Sequence, residues 1–144
     1  MRIARRIVGI SAAAFMSLAV AACGDDGPEP PTDMAVGYQT IRLDDISFAG
    51  RKRMQVYVVA PEATSRDQLA HTAMQAAVDL YKDKLPQLAS ATVLDGPEGD
   101  YIAVADYAPD QFGIDGKTPL ANVTWQIEAI DPPASVTMRA YAPQ

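Results

Sequence analysis

Hydrophobic and polar positions divide the chain into segments of two periods. Tyr38–Leu43 alternates, with Ile41 and Leu43 on one side and Thr40 and Arg42 on the other. Met54–Ala60 is mainly apolar (Val56, Tyr57, Val58, Val59), the pattern of a well-buried strand. The Gly-containing turn Ala49-Gly-Arg-Lys-Arg53 between them predicts a β-hairpin, and its three basic residues read as a solvated tip. Pro61 stops the second strand. Thr64 or Ser65 can cap a helix, with Asp67 or Gln68 three residues on to complete a capping box. Leu69, Ala73, Ala76, Ala77, Leu80 and Tyr81 then recur at helical spacing, predicting a helix over Ser65–Lys84 that ends before Pro86. Ala89–Leu94 and Tyr101–Tyr107 are further strands, joined by the polar loop Asp95–Asp100. Asn122–Ile130 has the clearest alternation, with Val123, Trp125, Ile127 and Ala129 on one face, and Ser135–Tyr141 alternates more weakly. One helix cannot cover both faces of a sheet. The pattern therefore predicts an α+β domain, a single antiparallel sheet of five or six strands with one long helix on one face, in the order ββαββββ over residues 38–144.

The N-terminus has a different texture. Arg2, Arg5 and Arg6 precede an uncharged run, Ile7–Ala22, of 16 residues. That run is short for a membrane span, which needs about 20 apolar residues, and fits a secretory signal. It ends in Val20-Ala21-Ala22-Cys23, with two small residues before the one cysteine of the chain. This ending resembles the lipobox of bacterial lipoproteins. The resemblance implies cleavage after residue 22, a diacylglyceryl group on the Cys23 thiol and an acylated new amino terminus. Two or three acyl chains hold a protein on a membrane surface far more firmly than one. In many Gram-negative species an Asp directly after the lipidated Cys retains the protein at the inner membrane. Gly24 stands there instead, which implies the outer membrane, facing the periplasm. Residues 23–37 continue with four acids, three prolines and three glycines, the composition of a flexible acidic linker.

Charge changes the picture in one respect. The chain carries 12 basic and 18 acidic residues; without the three arginines of residues 1–22, nine bases face eighteen acids, a balance of −9. Such a surface disfavours nucleic acid, whose binding comes mainly from Lys and Arg displacing counterions.

The residues suited to chemistry are sparse. His71 is the one histidine; it falls off the apolar stripe of the helix, with Asp67 one turn earlier as an ordinary partner, and no Gly-x-Ser-x-Gly elbow supplies a nucleophile. One histidine and one lipidated cysteine do not make a zinc site. Acids crowd the loops around Asp95–Asp100 and Asp106–Asp115, without the spacing of an EF-hand. No catalytic set, cofactor or metal is assigned. Asp106 falls on the Ile102–Val104 side of its strand and is the carboxylate best placed for an unusual environment. Tyr107, Asp110 and Phe112 lie on a strand-to-loop junction with two glycines and a proline, which makes them candidates for a binding loop. The other candidate surfaces are the sheet face left open by the helix and the Asp95–Asp100 loop. The hairpin, the helix and the Tyr107-Ala-Pro-Asp110 loop together resemble small bacterial domains without an assigned function.

These readings point to a non-enzymatic, lipid-anchored periplasmic binding or accessory module with an envelope protein as partner. The alternatives are a small envelope hydrolase using carboxylates such as Asp106 and Asp110, and an inhibitor of an envelope-degrading enzyme, for which an acidic surface suits a basic target.

Overall fold

The computed structural model describes residues 29–119 and 125–132. Cys23, the signal segment and the strand expected over Ser135–Tyr141 lie outside the described residues. The elements are β1 (Gln39–Asp45), β2 (Arg53–Val59), α1 (Arg66–Lys84), β3 (Leu88–Leu94), β4 (Tyr101–Tyr107) and β5 (Trp125–Ala129). The five strands form one sheet in the order β1-β2-β3-β4-β5 with α1 packed on one face, an α+β fold.

One pair departs from the expected antiparallel sheet. β2 and β3 are parallel, while the other three neighbouring pairs are antiparallel. The cause is the helix between them: α1 carries the chain back past the sheet, so β3 re-enters in the direction of β2.

Ser65 caps α1, its Oγ accepting the Gln68 amide at 3.2 Å, while Gln68 Oε1 reaches back to accept the Thr64 amide at 2.8 Å. At the other end Leu85 turns left-handed (φ 49°) and donates its amide to the Tyr81 carbonyl at 2.8 Å. The buried face of the helix joins Leu69, Met74 and Leu80 to Ala73, Ala76 and Ala77. It lies against Ala89, Ala91, Ala103 and Ala105 of the central strands, with Val56, Val58 and Val93 in the same core. Alanine on both sides lets helix and sheet approach closely, and larger side chains fill the margins.

The described residues before Tyr38 pack against the helix. Residues of the expected linker lie along α1: the Met34 amide approaches His71 Nδ1 at 3.1 Å, the Val36 amide donates to Thr72 Oγ1 at 3.0 Å, and the Tyr38 hydroxyl donates to Asp79 Oδ2 at 2.7 Å. His71, off the apolar stripe, is therefore a docking point for this strap rather than a partner of Asp67. Its Nδ1 also lies 3.0 Å from Asp33 Oδ1.

Candidate functional site

The hairpin tip is not solvated as its charge suggested. Arg51 and Arg53 are both buried. Arg51 grips Asp110 with both terminal nitrogens, Nη2 to Oδ1 at 3.0 Å and Nη1 to Oδ2, and Nη2 also donates to the Phe112 carbonyl at 2.9 Å. Arg53 donates to the carbonyls of Ile114 and Phe48. Lys52 reaches the other way and caps the end of α1 through the Lys84 carbonyl at 2.6 Å. A cluster of three charges on a turn reads as solvated unless the distant loop that consumes them is known, and that loop lies some sixty residues on in sequence.

The same contacts decide what the Asp110 loop can do. Asp110 Oδ1 also accepts the Phe112 amide at 3.1 Å. Its hydrogen bond from Arg51 holds the carboxyl below the ordinary carboxylate value, against the opposing effect of burial. Asp115 accepts from the Thr118 hydroxyl and the Thr118 and Lys117 amides, which lower its pKa to about 2. Gly116, with φ +68°, lies against Arg51; a Cβ there would come within 2.8 Å of Arg51 Cδ. Tyr107 packs edge-on against Tyr81 of α1, ring centroids 5.2 Å apart, on the helix side of the sheet. Tyr107, Asp110 and Phe112 therefore do not converge. Tyr107 closes the core, Asp110 secures the loop while staying partly open to solvent, and the Phe112 ring is exposed. Among the described residues no group of three His, Cys, Asp or Glu side chains is gathered as for a metal ion.

The face of the sheet turned away from α1 is polar and continuous. Strand register places Asp44, Gln55, Ser90, Asp106 and Gln126 in one row across all five strands, and Arg42, Tyr57, Thr92, Val104 and Glu128 in the next. Asp106 is 8% exposed and accepts from Gln126 Nε2 at 2.8 Å, while Gln55 Nε2 donates to Thr92 Oγ1 at 3.1 Å. Asp106 is thus buried, and it lies on the face away from the helix.

A cleft of about 480 Å³ opens at the end of this face, beside the last residues of β2 and β3. Tyr57, Thr92 and Leu94 come from the central strands, Ile41 and Arg42 from β1, and the remaining wall from Pro97–Tyr101. The Arg42 guanidinium rests on the Tyr57 ring, 3.9 Å from its centroid, and Nε pairs with Asp44 at 3.0 Å. Two contacts thus fix the plane of an otherwise flexible cation. Tyr101 is 71% exposed. The β3–β4 loop is a closed turn, with the Asp95 amide on the Asp100 carbonyl at 2.9 Å and the Gly99 amide on the Gly96 carbonyl at 3.0 Å. An ideal Cβ at Gly99 would fall 1.6 Å from Asp95 Oδ1 and 2.9 Å from the Gly96 nitrogen, so a larger residue there would displace the Asp95 carboxylate. Size and lining suit a small ligand. Sequence reading named two parts of the cleft, the open sheet face and the Asp95–Asp100 loop, but not their meeting with Ile41 and Arg42, because four separate segments supply it.

No curated protein is similar to the chain at a significant level. A crystal structure of a DUF487 family protein from Desulfovibrio piger ATCC 29098 is similar in fold, with a TM-score of 0.55 and 25% sequence identity. The similarity covers 64% of this chain and 60% of that one, so the chain spans less than two thirds of that protein's length. Residues 33–141 match a domain of unknown function, DUF4875, in a span that opens on the strap docked against α1 and takes in the whole sheet, and the chain belongs to that family.

Proposed function

We propose that this chain is a lipid-anchored periplasmic binding module, held at the outer membrane through Cys23, which takes a ligand in the cleft on the far face of the sheet and acts as an accessory to an envelope protein. The observation that carries the reading is the cleft itself: a preset Arg42–Tyr57 stack faces an exposed aromatic residue, Tyr101, across about 480 Å³. The lipobox resemblance supports the anchor. From Cys23 to the first docked residue, Asp33, the tether extends at most about 35 Å, which keeps the domain close to the bilayer surface.

A photo-crosslinking residue in place of Tyr101 tests this in cells. An envelope component should be captured there and not from Lys82, an exposed position on α1. Capture should fall when Cys23→Ala removes the anchor, and the same change should abolish incorporation of labelled fatty acid. Equal capture from Tyr101 and Lys82 would refute the cleft as the binding site.

One observation favours a second reading, the small envelope hydrolase. Glu128 lies two residues beyond Gln126, the partner of Asp106 across the strands, so both carboxylates share the far face as diagonal neighbours. The backbones of such neighbours are about 7–8 Å apart, which puts their side chains within reach of the spacing that paired glycosidase carboxyls need. Asp110, the other carboxylate first considered, is held by Arg51. Loss of glycan-degrading activity in Asp106→Asn and Glu128→Gln would establish this reading; an unchanged activity in both would remove it.

A further inference from the structure

The charges around the cleft are arranged as two poles. On the β1 side stands Arg42, with Nε given to Asp44 and its guanidinium plane resting on Tyr57; the outer edge of the fork, on a side chain 58% exposed, is the part open to an anion. On the opposite side the closed β3–β4 turn presents Glu98 and Asp100, both exposed, beside Tyr101. Between the poles the lining is apolar or aromatic at Ile41, Tyr57, Leu94 and Pro97, with the Thr92 hydroxyl, which accepts from Gln55, as its polar exception.

Each pole excludes a class of ligand. A polyanion that pairs with Arg42 is repelled by Glu98 and Asp100, and Asp44 has already offset part of the one positive charge. A simple cation drawn to the two carboxylates meets Arg42. A neutral polar molecule of the same size gains no attraction of opposite charge at either pole. A molecule carrying one anion and one cation at opposite ends of an apolar body offers each pole an opposite charge.

We propose that the cleft binds a small zwitterion of the peptide type, a free amino acid or short peptide, with its carboxylate on the Arg42 fork and its ammonium facing Glu98 and Asp100. The proposal rests on the binding reading above and adds the ligand class. Arg42 suits a carboxylate because its flat, immobilised fork offers two parallel N–H donors at little further cost in order. The exposed Tyr101 ring gives the side chains of the ligand a surface on which to rest.

The test uses the full-length lipidated protein in detergent micelles and saturation-transfer NMR with four probes. These are alanyl-leucine, its N-acetyl form, its C-terminal amide and the doubly blocked compound. The free dipeptide should bind, and each blocked terminus should weaken binding about tenfold, as for the loss of one charge-assisted hydrogen bond. Arg42→Gln should erase the difference between acid and amide while leaving the acetylation effect. Glu98→Gln combined with Asp100→Asn should do the reverse. All three side chains are exposed, so the variants should melt like the parent. Equal binding of the doubly blocked compound would overturn the zwitterion proposal while leaving the cleft as a binding site. Failure of the free dipeptide to bind would overturn it as well, and crosslinking from Tyr101 would then decide the cleft separately. Binding of every probe unchanged by Arg42→Gln and Tyr101→Ala together would overturn both.

Discussion

Replacing Asp110 by asparagine removes one charge and almost no volume, and so isolates the pair that fastens the Ala108–Pro119 loop to the hairpin. Arg51 is 10% exposed and would keep its charge, losing its bidentate partner for an amide with one acceptor oxygen. Breaking a fully buried pair from one side costs about 3–5 kcal/mol. Asp110 is 35% exposed, and water screens part of its interaction, so about 2 kcal/mol is expected. For a domain of this size that lowers Tm by roughly 8–10 °C. The effect should depend on pH. Hydrogen bonding from Arg51 lowers the Asp110 pKa in the folded state, so its contribution is complete above the unfolded value of about 3.9 and is lost as pH falls through the lower folded value. Calorimetric melts of parent and variant should differ at pH 7, begin to approach one another below about pH 4, and meet only below the lower folded value. The double variant Arg51→Met, Asp110→Asn should lose less than the sum of its parts, because no buried cation is then stranded. A shift under roughly 2 °C at neutral pH would show that the pair merely decorates the loop, and a gap that persists into acid would show that its charge is irrelevant.

Three further substitutions probe other features. Gly116→Ala places a Cβ against the Arg51 side chain, which Asp110 prevents from moving, and does so at a positive φ; it should cost about 2 kcal/mol by thermal melt. Leu85→Gly relieves an exposed left-handed residue at the end of α1 and should stabilise by about 0.5–1 kcal/mol once the flexibility of the unfolded glycine is counted, which a raised Tm would show. Thr72→Val removes the hydroxyl that accepts the Val36 amide, costs about 1–2 kcal/mol, and should speed hydrogen exchange at Val36 while leaving Val93 in the core protected.

Periodicity revealed what repeats along the chain. The helix begins and ends within a residue of its expected bounds because capping and spacing are local properties. The alternation of Trp125, Ile127 and Ala129 placed all three on the helix side, where they meet the core, because β5 is regular throughout its described length. β1 shows where this reasoning stops. Its alternation puts Ile41 and Leu43 on one face, yet the register of β1 against β2 shifts between Thr40 and Arg42. One extra residue changes the face on which later side chains emerge. Ile41 accordingly lines the far-face cleft beside Arg42, while Leu43 lies with Val56 and Leu80 in a groove on the helix side. Nothing in Gln-Thr-Ile-Arg-Leu marks that irregularity, since it arises from pairing with Val58 and Tyr57 across the sheet. The basic triplet at the hairpin fails for the same reason, its partners being set by folding and not by neighbours in sequence. The β1 bulge is therefore more than a defect of pairing: it brings an apolar residue and a cation together at one wall of the cleft, where a regular strand would have separated them.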